Sequence, residues 1–111
     1  MDLKIVEEMI HEEAAYRKYE IGNYVLEETM HKDLKPLYRV EYKDYKKANE
    51  SHQPAIHFHN DIFGKGKSEF LIQTTSRGTL GIDEIEMMIV AYKEAVEVVK
   101  VLNGFMEQQE A

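Results

Sequence analysis

Two histidines and a carboxylate near the middle of the chain have spacing that suits a metal site. From Ile56 to Ile62 apolar and polar residues alternate, which is typical of a strand with one buried face. Such a strand places His57, His59 and Asp61 on one face, and this set suits Zn²⁺, Fe²⁺ or Mn²⁺. An open sheet with its polar face in water explains the same alternation without a ligand. We therefore expect no cofactor, with a divalent metal as the alternative.

Two matching fragments contain the spacing Glu-x-x-His, first from Glu8 to His11 and again from Glu28 to His31. On a helix this spacing puts both side chains on one face, as in di-iron carboxylate bundles. A helix over residues 2–20, however, would turn His11 towards solvent rather than towards a core. A di-metal site is therefore the weaker of the two metal hypotheses.

A third group combines tyrosines with basic residues just after Pro36. Aromatic rings stack on unpaired bases while basic side chains meet phosphates, which is how many single-strand binders work. Tyrosine is equally common where proteins contact proteins, and Glu41 and Asp44 interrupt the basic run. The segment is thus a candidate partner-binding surface, with single-stranded nucleic acid as the alternative ligand. Its candidate residues are Tyr38, Tyr42, Tyr45, Lys46 and Lys47.

The remaining sequence favours binding over catalysis. It contains neither a Gly-x-x-x-x-Gly-Lys-Ser/Thr loop nor a Gly-x-Gly-x-x-Gly fingerprint. The net charge of −7 disfavours general nucleic-acid binding, although residues 36–81 carry a slight basic excess between two acidic ends. We therefore expect a small acidic, non-enzymatic interaction protein that binds or inhibits a protein partner. Its size and composition are typical of accessory proteins of phages and other mobile elements, without any residue motif that carries the likeness.

Length and composition indicate one folded domain. The chain has 111 residues, of which 43% are hydrophobic and 32% charged, so it can bury a core. Its start lacks the basic and apolar regions of a secretory signal, and the longest apolar run, 87–92, is too short to span a bilayer. These features predict a cytoplasmic protein without a membrane partner.

Residues that commonly end helices and strands divide the chain before the final helix. Apolar residues at helical spacing predict an N-terminal helix over 2–20, and Gly22-Asn23 weakens or breaks a helical region that extends to residue 35. Residues 37–49 suit either a strand or a helix, with aromatic and β-branched residues favouring a strand in the first half. Residues 54–75 predict a β-hairpin closed by Gly64-Lys65-Gly66.

The last third predicts one long amphipathic helix over 83–103. Asp83 and Glu86 form a capping box, and Asn103-Gly104 supplies the stop, leaving 104–111 as a frayed tail. The apolar arc is wider than one small sheet needs, which predicts either that the N-terminal helix covers it or that it forms a homodimer through residues 84–101. The expected core stripe is Ile85, Met88, Ile89, Tyr92, Ala95, Val96, Val99 and Leu102.

The predicted class is α+β. A small antiparallel sheet, made of the central hairpin and possible third strand, is packed by the N-terminal helix and the C-terminal helix.

Overall fold

The computed structural model describes residues 1–60, 66–74 and 78–110. In these ranges four strands are followed by a short helix, two more strands and a long helix. The first four strands form an antiparallel sheet in chain order, and the last two form a separate antiparallel pair. Within the described ranges no helix has the length and apolar character needed to cross a membrane. The elements are β1 (Lys4–Ile10), β2 (Ala14–Ile21), β3 (Tyr24–His31), β4 (Leu37–Tyr42), α1 (Tyr45–Glu50), β5 (Ala55–His59), β6 (Glu69–Gln73) and α2 (Ile82–Glu110).

The α+β class, the small antiparallel sheet and the long C-terminal helix are confirmed, but the predicted N-terminal helix is wrong. Residues 2–35, expected to be helical, contain β1, β2 and β3. Gly22, with φ of 55°, opens a two-residue turn between Ile21 and Tyr24 and provides the positive φ that a tight hairpin turn needs. The strands then place Arg17 directly between Glu8 and Glu28. β2 and β3 also bury Tyr19, Ile21, Tyr24 and Leu26 in a core shared with α2, and such long-range contacts override the helical spacing of apolar residues within one segment.

The ambiguous segment 37–49 contains both of the predicted alternatives in succession. Its first part is β4, and α1 begins after Asp44, whose side chain accepts a hydrogen bond of 3.2 Å from the Lys47 amide. That bond satisfies one of the free donors at the helix start. The antiparallel pairing of β5 with β6 confirms the central hairpin. Residues 64 and 65 of its predicted loop, and residues 61–63 and 75 of its predicted strands, lie outside the described residues.

The core lies where α2 covers one face of the four-stranded sheet and the β5–β6 pair. Tyr24 is fully buried, and its hydroxyl donates a 2.6 Å hydrogen bond to the Pro54 carbonyl, which ties the segment before β5 to β3. Asn103 joins α2 to β6, because its Oδ1 accepts a 2.8 Å bond from the Phe70 amide. The central buried residues are Tyr19, Ile21, Tyr24, Leu26, Ile56, Phe70, Ala95, Val98, Leu102 and Met106.

The boundaries of α2 differ from those predicted. The Ile85 amide donates to the Gly81 carbonyl at 3.0 Å, so the helix begins at Ile82 and Asp83 lies inside its first turn rather than at its cap. At this position the negative charge of Asp83 still interacts favourably with the positive end of the helix dipole. The helix continues past Gly104 to Glu110, so no frayed tail begins at residue 104. Burial of Met106 stabilises this extension, and the side chain of Asn103 is bonded to β6.

The buried face of α2 is also rotated from the predicted stripe. Of that stripe Ala95 and Leu102 are buried, but Ile85, Ile89 and Val96 are exposed by 37%, 48% and 41%. Periodicity predicted a wide apolar arc on this helix but did not determine which part of the arc the sheets would cover. The face that they cover consists of Ala91, Ala95, Val98, Leu102 and Met106.

Candidate interaction surfaces

The two predicted metal-ligating histidines lie together on the exposed face of β5. His57 and His59 alternate with Ile56 and Phe58, which point into the core. The His57 Nε2 atom hydrogen-bonds the side-chain oxygen of Gln73 on the neighbouring strand. Asp61, the third predicted ligand, lies outside the described residues. No group of three metal-ligating side chains occurs in the described ranges, and metal binding at this face stays a prediction.

The two Glu-x-x-His fragments lie at the ends of β1 and β3, with His31 on β3 and His11 one residue past the end of β1. Both strands flank β2, and Glu8 and Glu28 pair with the same residue, Arg17. The expectation that glutamate and histidine share a helix face is wrong, since residues three apart on a strand point to opposite faces. Instead His11 and His31 line a shallow cavity of about 240 Å³ beside the turn between β1 and β2.

Arg17 and its two glutamates form a partly buried charge network that sequence analysis missed. Arg17 Nε lies 2.6 Å from Glu8 Oε2, and Arg17 Nη1 lies 3.4 Å from Glu28 Oε1. Tyr19 donates its hydroxyl to the same Glu28 oxygen at 3.3 Å. Hydrogen bonding to Glu8 raises the pKa of Arg17, and burial, followed by the Glu28 charge, raises the pKa of Tyr19. The two Glu-x-x-His fragments were the sequence signal that could have revealed this network. They are 20 residues apart, which is the distance along the chain between Glu8 on β1 and Glu28 on β3.

Glu28 is the exceptional member of this network. It is 1% exposed, and its Oε2 atom has no hydrogen-bond partner among the described residues. Among the described residues its cationic partner is Arg17, and a buried carboxylate with an incomplete set of partners depends on such a cation. We assign the network to holding the register of β1, β2 and β3, since each of its charged members lies on a different strand.

The tyrosine–lysine segment is divided by the fold. Tyr38 lies in an aromatic cluster with Phe58 and Phe70, with ring centroids 5.1 and 5.7 Å away. Tyr42 donates its hydroxyl to the Gln53 carbonyl at 3.0 Å and packs beside Tyr24. These two rings therefore support the core.

Three of the five candidate residues remain together on α1. Tyr45, Lys46 and Lys47 are exposed, and the Tyr45 hydroxyl donates to Glu41 at 3.2 Å. The basic residues of β4 and its end, Arg39 and Lys43, are in ion pairs with acids. A single exposed ring offers less stacking than the sequence suggested. Nucleic-acid binding through this segment stays a prediction.

Two apolar surfaces that face solvent complete the candidates. Every residue of β1 is exposed although the strand is rich in apolar side chains. The first part of α2 exposes Ile82, Met87 and Val90 by 78%, 43% and 69%, between the exposed acids Asp83, Glu84 and Glu86. Exposed apolar residues that lie next to one another, rimmed by polar residues, are typical of interaction sites.

A cavity of about 470 Å³ lies beside that part of α2, between α1 and the β2–β3 turn. Glu94 is one of its lining residues. Its carboxylate accepts bonds from the Asn23 amide at 3.1 Å, the Asn23 side chain at 2.9 Å and the Gln53 side chain at 2.9 Å. These bonds use both oxygens of Glu94, which indicates that it supports the fold. Comparison of the chain with models of protein families, with curated proteins and with solved structures finds no significant match.

Proposed function

We propose that this protein is a small acidic, non-enzymatic interaction protein that binds or inhibits a protein partner. In this proposal an extended segment of the partner pairs with the open edge of β1 as an added strand. The observation that supports the proposal is the exposure of that edge strand. Its apolar side chains Ile5, Val6, Met9 and Ile10 are exposed by 53%, 43%, 48% and 66%. Proteins usually cover or shorten such edges, because an open edge is a template for another strand.

The hydrogen-bond pattern identifies which backbone groups of β1 are available. The His11 amide donates to the Ala14 carbonyl at 2.8 Å, and bonded pairs in an antiparallel ladder recur every second residue. Met9 and Glu7 therefore turn their backbone groups towards β2. Glu8 and Ile10 turn theirs to the open side, where an added strand forms main-chain bonds.

Charge around the strand defines the kind of segment that fits. β1 carries Glu7 and Glu8 against Lys4, and the following turn adds Glu12 and Glu13. Self-pairing of two copies of β1 would bring acids together, which disfavours a second copy as the occupant. The complementary partner is an extended segment that alternates apolar with basic residues.

A peptide that alternates valine or isoleucine with lysine tests this proposal by fluorescence anisotropy. We expect the wild type to bind it, and an N-methylated form of the same peptide to bind at least about tenfold more weakly, since it lacks backbone donors. Ile10→Pro removes an open-side amide without removing a β1–β2 bond, and Ile10→Ser is the matched control that keeps the amide. Equal binding by these two variants, or by the two peptides, would contradict the proposal.

We further propose that the chain forms a homodimer through residues 84–101 of α2. Support comes from the exposed apolar residues of this stretch, Ile85, Ile89 and Val96, which lie beside the face that the chain's own sheets cover. A two-fold contact buries the same patch on both copies. Sedimentation velocity over a range of concentrations tests it, and a monomer mass at every concentration would refute it.

A further inference from the structure

Four exposed apolar residues of α2, with the half-buried Tyr92 among them, form a regular seam. Ile82, Ile85, Ile89, Tyr92 and Val96 are separated by alternating steps of three and four residues. This is the a and d spacing of a coiled coil. At about 100° of rotation per residue, the centre of the seam is turned about 120° around the helix from the centre of the buried face. α2 therefore carries a second contact face beside the one that its own sheets occupy.

We propose that two copies pair their α2 helices antiparallel along this seam, about a two-fold axis near Val90 and Ala91. The inference rests on the proposed homodimer and specifies its register. Ile85 then lies against Val96 of the second copy, and Ile89 lies against Tyr92 of the second copy. These are the alternating a–d layers of an antiparallel coiled coil.

The charges beside the seam select this register. Glu86 and Lys93 both occupy e positions, immediately after d residues. In an antiparallel pair e positions face each other, so Glu86 of each copy lies beside Lys93 of the other. A shift of one heptad towards the N-termini would place Glu86 against Glu86 of the second copy, which repels. Two copies of this chain are therefore complementary in one register and not in the next.

The position of the core disfavours a parallel pairing. In a parallel pair e residues face g residues, but the g positions of this seam are Met88, Ala95 and Leu102, of which the last two are buried in the chain's own core. No charge pair would then orient the helices. In the antiparallel arrangement g positions face each other, so both cores lie on the same side of the helix pair. They are displaced towards opposite ends of it, because the buried residues of α2 begin only at Ala91.

A shallow cavity marks the middle of the seam. It has a volume of about 570 Å³ and is lined by Ile89, Tyr92, Lys93, Val96 and Glu97. The antiparallel register brings Ile85 and Ile89 of the second copy into it. Val99, which continues the spacing, already packs against the chain's own core, so the contact ends at Val96.

Charge exchange tests the register by sedimentation velocity at low salt. We expect Glu86→Lys or Lys93→Glu alone to raise the dimer dissociation constant about tenfold, since each replaces two attractions by two repulsions. The double variant restores the pairs and should return to within about threefold of the wild type. A mixture of the two single variants should form a heterodimer more tightly than either variant alone, because every facing pair is then opposite in charge.

A matched substitution locates the seam. Ile89→Asp lies on it and should abolish dimerisation, whereas Val90→Asp, one residue away and 69% exposed, lies off it and should retain the dimer. Circular dichroism of each variant confirms that the monomer is folded. A monomeric wild type would overturn both the homodimer and this inference. A dimeric wild type whose double charge variant stays weak, or whose single variants fail to associate, would overturn the register alone.

Discussion

Replacing Glu94 by alanine should destabilise the protein more than any other single acidic substitution on α2. Its carboxylate accepts three hydrogen bonds, two from Asn23 and one from Gln53. These bonds connect α2 to the β2–β3 turn and to the segment between α1 and β5. Gln53 is 5% exposed, so bulk water cannot replace Glu94 as the hydrogen-bond acceptor of its side-chain amide.

The magnitude follows from the groups that lose a partner. A buried donor left unsatisfied costs about 1–3 kcal/mol, and loss of the two Asn23 bonds, which are closer to solvent, adds about 1 kcal/mol. We therefore expect Glu94→Ala to lower the free energy of unfolding by about 2–4 kcal/mol, or the melting temperature by about 10 °C. Urea denaturation followed by circular dichroism, at one fixed protein concentration, measures this change.

Two control variants test the reasoning. Glu94→Gln keeps the oxygen that accepts from the Asn23 and Gln53 amides, and rotation of the Asn23 side chain restores the third bond, so its loss should stay near about 1 kcal/mol. Glu97→Ala removes an acid whose side chain is 60% exposed and paired with Lys100, and should change stability by less than about 0.5 kcal/mol. Equal losses for Glu94→Ala and Glu97→Ala would refute the assigned role of Glu94.

Three further predictions concern the core and the charge network. Asn103→Ala should lower the free energy of unfolding by about 1–3 kcal/mol, measured by urea denaturation, because the Phe70 amide loses its acceptor; a neutral result would contradict the role of Asn103 at the edge of β6. Burial raises the pKa of Tyr24 above its ordinary value of 10.0, so its contribution to stability is complete below that pH and declines above it as the unfolded phenol ionises. Tyr24→Phe should therefore show a shallower loss of stability above pH 10.0 than the wild type in parallel denaturation series, and identical slopes would count against this. Arg17→Met should lower the free energy of unfolding by about 3–5 kcal/mol, since it leaves the buried Glu28 charge unpaired. Glu8→Gln should lower it by less than about 1 kcal/mol. Thermal unfolding measures both, and the reverse order would exclude the proposed dependence of Glu28 on Arg17.

The parts of the fold that followed from sequence are those with strong local signals. The hairpin of β5 and β6 follows from alternation around glycines, and α2 follows from a long helical period. The face that His57 and His59 share is also a local property, because strand geometry alone determines it.

The N-terminal strands did not follow from sequence, because their stabilising contacts are between strands. Leu3, Val6 and Ile10 have helical spacing, and nothing within that segment indicates that Glu8 will pair with Arg17. The candidate surface after Pro36 was divided for a similar reason. Tyr38 contacts Phe58 and Phe70 from a distant hairpin, so its ring is held in the core.

The sequence by itself determined the α+β class, the central hairpin, the long C-terminal helix and the acidic character of the chain. Periodicity, turn residues and net charge are local or additive properties, so they can be read without a fold. Only the tertiary structure decided that β1 is an exposed edge and that Ala91 and Val98 face the core while Ile85 and Ile89 face solvent. Exposure depends on which other elements cover a surface, and that depends on contacts between residues far apart in the chain.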